Sequence, residues 1–164
     1  MRRFAEDTSV PISRSRGEIE DLLRTWGCTK LGWSDEYDEG RATLQFVWVR
    51  ESTQYIARFA VQLPRRDAFV AEWKRKNGSW SVPAESTIEK ALAQGGRSAF
   101  RVLLLWIKAS LNAVEHGIVS AESVFLPWIV TPDGRTVAEA LVPRMADLLT
   151  TPAERLLPAP GRKP

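Results

Sequence analysis

Residues 97–137, RSAFRVLLLWIKASLNAVEHGIVSAESVFLPWIVTPDGRTV, decide the fold. Phe100, Leu103, Leu104, Ile107, Leu111 and Val114 recur three or four residues apart and share one helical face. Val102, Leu105, Trp106 and Ala109 carry the apolar surface round the middle of the same segment. A helix that is apolar on nearly every side is contacted from more than one direction, so 97–116 reads as a long central helix. Gly117 ends it. Ser120 can cap a short helix that stops before Pro127. Pro132-Asp133-Gly134 is a turn, with φ preset at the proline and positive φ open to the glycine. Thr136 can cap a last helix over 137–149, which Pro143 limits or kinks.

Upstream, the period changes from helix to strand. Residues 1–12 read as an extended arm. Ser15-Arg16-Gly17-Glu18 has the spacing of a capping box, which predicts a helix over 16–26 with Ile19, Leu22, Leu23 and Trp26 inward and Gly27 as its stop. Three strands follow. Residues 30–34 are the first and weakest. Residues 41–50 place Ala42, Leu44, Phe46 and Trp48 on one face, and residues 55–63 do the same with Tyr55, Ala57, Phe59, Val61 and Leu63. Glu51-Ser52-Thr53 connects them as a hairpin. This predicts an antiparallel three-stranded meander half covered by helices. Residues 64–83 have no clear period and read as a long basic loop with an Asn77-Gly78 turn signal. Residues 84–93 read as a helix broken by Gly95-Gly96. The expected fold class is α+β: a meander packed on a long central helix, with shorter helices at both ends. The division is arm 1–12, one domain 13–149, and a Pro-rich tail 150–164.

The 164 residues are one ordinary domain, and 44% apolar content is enough for a core. A net charge of +3 permits nucleic acid without demanding it. Cys28 is the single cysteine and His116 the single histidine, so no internal disulfide and no Cys/His zinc site is expected. No cofactor is expected. No apolar run reaches membrane-spanning length and the N-terminus lacks a signal-peptide core, so the expected location is cytoplasmic.

Several motifs occur together and in order: Thr8-Ser9-Val10; Arg14-Ser15-Arg16 with Glu18-Ile19-Glu20; Ile107-Lys108-Ala109 with Val114-Glu115 and Gly117-Ile118; Phe125-Leu126; Ile129-Val130; and Pro132-Asp133-Gly134-Arg135-Thr136-Val137. In this combination the chain resembles, over nearly its whole length, a family of small proteins encoded in tailed bacteriophages and prophages. That family has no established activity. The resemblance implies a phage origin, an accessory role and, with it, the cytoplasm of an infected bacterium. Where the family carries an Arg-Trp-Arg run entering the long helix, this chain has Ser98-Ala99-Phe100-Arg101.

The strongest functional signal is the interleaving of Arg65, Arg66, Lys74, Arg75 and Lys76 with Trp73 and Trp80. Guanidinium and ammonium groups meet phosphates, and indoles stack on unpaired bases. Arg58, with Thr43, Gln45 and Gln62, lies on the wetter strand face and could join such a surface. The expected function is therefore non-specific nucleic-acid binding, single strands favoured, in phage DNA metabolism. The competing reading is a solvated loop whose indoles fold onto the core. A second functional class is a protein-interaction module that inhibits a host defence or housekeeping complex, with exposed Trp as the anchor and homo-oligomerisation through an open sheet edge. Enzymatic activity is the least supported: Glu115-His116 is an acid/base pair only on paper, since a histidine near a helix C-terminus has a simpler reason to be there. Asp35, Glu36, Asp38 and Glu39 read as an acidic hairpin turn rather than a cation site. Asp133-Gly134-Arg135-Thr136 lacks the glycines and lysine of a phosphate loop.

Overall fold

A computed structural model of the chain describes residues 5–36 and 38–145. The order is α1 (Ile12–Trp26), β1 (Lys30–Glu36), β2 (Arg41–Arg50), β3 (Thr53–Gln62), α2 (Arg66–Asn77), α3 (Glu85–Glu115), α4 (Ala121–Phe125) and α5 (Val137–Leu141), with 3-10 turns at Leu126–Trp128 and Val142–Arg144. The fold class is α+β, as expected. The strands form an antiparallel meander in the order β1-β2-β3. In register, Phe46 lies opposite Leu31 on one side and Ala57 on the other.

The alternation of β2 and β3 buries one face. Ala42, Leu44, Phe46, Trp48, Ala57, Phe59 and Val61 are all buried, and Ile19 and Leu23 of α1 and Leu104, Ile107 and Leu111 of α3 cover them. Phe125 of α4 sits at the centre with no exposed surface. The rings of Trp26, Phe46, Trp48, Phe59 and Trp106 surround it at centroid distances of 5.5–6.2 Å. Four of these contacts are edge-on, the arrangement that aromatic quadrupoles favour. At the other end of the sheet, the Arg16 guanidinium lies 4.8 Å from the Trp33 ring centroid and 4.7 Å from that of Phe100, and pairs with Asp35. One side chain thus ties α1, β1 and α3 together.

Four expectations are corrected. First, the capping box at Ser15 is not made. Pro11 starts α1 at Ile12, four residues earlier than expected, because its fixed φ of −61° suits a helix entry. Ser15 is instead a fully buried core residue. Second, Gly95-Gly96 does not break the helix; α3 runs unbroken for 31 residues. The glycines are there for close approach: a Cβ on Gly95 would lie 2.7 Å from Cγ of Pro64, and one on Gly96 would lie 3.1 Å from Cδ1 of Ile12. Third, residues 64–83 are not a loop, since α2 occupies most of them. Fourth, the described part of the arm is not free. A turn brings Thr8 N within 3.2 Å of Ala5 O, and α3 holds it through Gln94 Nε2 to Glu6 O at 2.8 Å and Ser98 Oγ to Ala5 O at 2.8 Å.

The end signals of the other helices were legible. Gly27 and Cys28 donate to Arg24 O and Leu23 O, a Schellman closure of α1. Ser120 accepts from Ser123 N at 3.1 Å. Thr136 and Glu139 form a reciprocal capping box. Regular α-helix ends at Leu141, and Pro143 lies in the 3-10 turn that follows. The rest of the last expected helix, and the tail 150–164, fall outside the described residues.

The β2–β3 turn carries local strain. Arg50 pairs with Thr53, leaving a two-residue loop in which Glu51 and Ser52 have φ of 49° and 66°. Such a loop favours Asn-Gly, and a side chain in the left-handed region costs roughly 1–2 kcal/mol. Ser52→Gly should therefore raise the denaturation midpoint with an unchanged slope. Gly95→Ala should lower it, although an unobstructed helix interior would gain about 1 kcal/mol from the same change. Urea melts of both variants decide these outcomes.

Candidate nucleic-acid interface

The basic segment forms a helix because its residues are good helix formers that bind one another. Glu72 pairs with Arg75 at 2.6 Å and with Lys76 at 3.1 Å, one turn along. The helix is only lightly attached. None of its residues is buried, and it rests on α3. Phe69 and Trp73 lie 6.1 Å apart between centroids on its half-covered side. Lys74, Arg75 and Lys76 fill its last turn, where they also meet the negative end of the helix dipole. Asn77 Nδ2 donates to Trp73 O, and Gly78, with φ of 97°, turns the chain away. The turn then folds back: Ser81 N donates to Gly78 O at 3.0 Å, and Trp73 Nε1 donates to Ser81 Oγ at 2.9 Å.

This geometry separates the seven tryptophans into two roles. Trp26, Trp33, Trp48, Trp106 and Trp128 belong to the core or pack against it. Trp73 is half-buried and hydrogen-bonded. Trp80 alone projects into solvent, 96% exposed, at the tip of the turn that Ser81 ties to Trp73.

The candidate cations are not equivalent. Arg65 pairs with Asp67 at 2.8 Å, and Arg66 pairs with Glu85 through both terminal nitrogens. Both arginines line a cleft of about 670 Å³ between α2, α3 and the β1–β2 turn, but Asp38 and Asp67 line it too. A cleft with guanidiniums and carboxylates in equal number is a poor funnel for phosphate. Arg58 is apart from the rest. It projects from the sheet face opposite to the one that α3 covers, and Glu139 of α5 holds it at 2.8 Å. What remains together is Trp73, Lys74, Arg75, Lys76 and Trp80. There, Arg75 and Lys76 share the Glu72 carboxylate, and among the described residues Lys74 makes no ion pair.

The other candidates are accounted for by the fold. Asp35 answers Arg16, while Glu36 and Glu39 answer Arg41. Glu115 and His116 are exposed at the end of α3. Asp133 closes its own turn: the Thr131 hydroxyl and the Arg135 guanidinium hold its carboxyl at about 2. No helix among the described residues is long and apolar enough to cross a membrane. No protein family, curated protein or solved structure matches the chain.

Sequence reasoning missed α2 because it looked for an apolar stripe, and this helix has almost none. The signal that was present is Glu72 with basic residues three and four positions on, in a run of Ala, Glu, Lys and Arg.

Glu72 controls how much positive charge is available. Its carboxyl is drawn from an ordinary 4.5 to about 2, chiefly by the Arg75 hydrogen bond and then by that of Lys76. A depressed folded pKa means that the pairing is complete above the ordinary value and is lost only as pH falls through about 2. Any nucleic-acid affinity of this surface should therefore show no step from this group between neutral pH and pH 4. Glu72→Gln should free Arg75 and Lys76 at all pH values and steepen the salt dependence of binding. A carboxyl NMR titration, with salt titrations of both proteins, checks this.

Proposed function

We propose that this protein binds single-stranded nucleic acid without sequence preference, through Trp80 with Lys74, Arg75 and Lys76. The carrying observation is Trp80, a fully presented indole on a turn tied to the basic end of α2. An isolated exposed tryptophan loses the benefit of burial unless something covers it. A base is a fitting cover: stacking contributes about 1–3 kcal/mol per base, and nearby ammonium groups fix the backbone. Arg65 and Arg66 contribute less, because each already has a carboxylate. Arg58 contributes nothing to this surface. The resemblance to phage and prophage proteins supports an accessory role inside a bacterial host, and the basic-aromatic segment is what points that role to phage DNA metabolism.

A second reading has an observation of its own. Val82, two residues from Trp80, is 73% exposed. Tryptophan is enriched among protein-binding hot spots and Val82 extends the exposed apolar surface beside it, which favours a host or phage protein that this chain occupies or inhibits.

Salt titrations with labelled single- and double-stranded DNA and RNA separate the two. The nucleic-acid reading expects tighter binding to single strands. It also expects the triple neutralisation of Lys74, Arg75 and Lys76 to flatten the log–log salt slope, by roughly 0.7 for each phosphate no longer neutralised. Trp80→Ala should weaken binding by about 1–3 kcal/mol without changing that slope. Absence of binding at low salt would remove the reading and leave Trp80 as a protein anchor.

A further inference from the structure

We propose that β1 pairs edge to edge with β1 of a second copy of this chain, antiparallel, about a two-fold axis at Trp33. The sheet has two outer edges and they differ. That of β3 is occupied, because Ile129 bridges Ala57 and Val130 N donates to Ile56 O at 2.8 Å. That of β1 is open to a further strand, since among the described residues no strand but β2 pairs with it. Open edges are commonly guarded by a proline, a bulge, extreme shortness or charged side chains, and of these β1 carries only the charges Lys30, Asp35 and Glu36. β1 has seven residues, no proline, and an unbroken one-to-one register with β2 from Lys30 to Glu36.

The charges on β1 complement their own image. Lys30 stands at one end and Glu36 at the other, an even number of residues apart, so both project from the same sheet face. With the axis at Trp33 the whole strand is paired. Lys30 then faces Glu36 of the second copy at both ends and Gly32 faces Ser34 on that face, while on the other face Trp33 meets its own copy and Leu31 meets Asp35. Among the described residues Lys30 makes no ion pair within its own chain. Glu36 is held on its other side by Arg41, which fixes it along the strand. Leu31 and Trp33, on the opposite face, are only half-buried at the open edge, and pairing covers them further. The result is a six-stranded sheet continuous through two copies. It stands independently of nucleic-acid binding.

Sedimentation over a concentration series tests this with the charge-reversed variants Lys30→Glu and Glu36→Lys. Wild type should dimerise. Each variant alone places like charges at both ends and should weaken the dimer roughly tenfold or more. An equimolar mixture of the two should restore it as a heterodimer, because opposite charges again meet at both ends. A merely misfolded variant would not recover on mixing, and circular dichroism confirms that each is folded. A wild-type monomer at every concentration would overturn the proposal. So would a dimer indifferent to both reversals, or variants that do not rescue each other.

Discussion

A three-stranded sheet is marginal by itself, and this one has aromatic residues along a single face. Those rings must be covered, and covering them organises everything else. Phe125 performs the central part: one completely buried ring in contact with rings from α1, β2, β3 and α3. Removing that ring would leave five others without a shared neighbour, which is why α4, a helix of only five residues, is essential to the core. The long helix α3 is the other half of the cover. It reaches past the sheet at its N-terminal end, where Gly95 and Gly96 let Pro64 and Ile12 approach its backbone.

Because α3 is longer than the sheet it covers, its first turns are left with other partners. The N-terminal turn docks there through Ser98 and Gln94, and α2 rests on the same helix. α2 has little apolar surface to bury, so it is stabilised by internal ion pairs rather than by packing. That has a functional consequence. Under the proposed nucleic-acid reading, the charges that stabilise the helix are those that would meet phosphate, and Glu72 already claims part of them. The presented surface is therefore small: one indole, one lysine with no ion pair among the described residues, and two cations held in common by one carboxylate.

The opposite sheet face and the β1 edge follow from the same asymmetry. α1, α3 and α4 cover one side, so Thr43 and Gln45 lie on the other, where Glu139 of α5 reaches Arg58, and the meander ends in a strand with no further strand beyond it among the described residues. Arg16 braces that strand from the covered side, between Trp33 and Phe100.

The sequence by itself determined the α+β class, all three strands, the faces of β2 and β3, the central helix and most helix ends. Period-two alternation, a helical apolar stripe and short-range caps such as Thr136 with Glu139 are local properties, readable without knowing what lies across the fold. It did not determine α2, because ion pairs rather than an apolar stripe support that helix. Nor did it reveal the purpose of Gly95-Gly96, where the decisive neighbours, Pro64 and Ile12, are far away in the chain. The seven basic and aromatic candidates of residues 65–80 were all named from sequence, but composition could not rank them. Only tertiary structure assigned Arg58 to Glu139 and Arg66 to Glu85, buried part of Trp73 and left Trp80 in solvent. Which charges are already paired and which ring stays uncovered depend on partners distant in sequence, and such partners meet only when the chain folds.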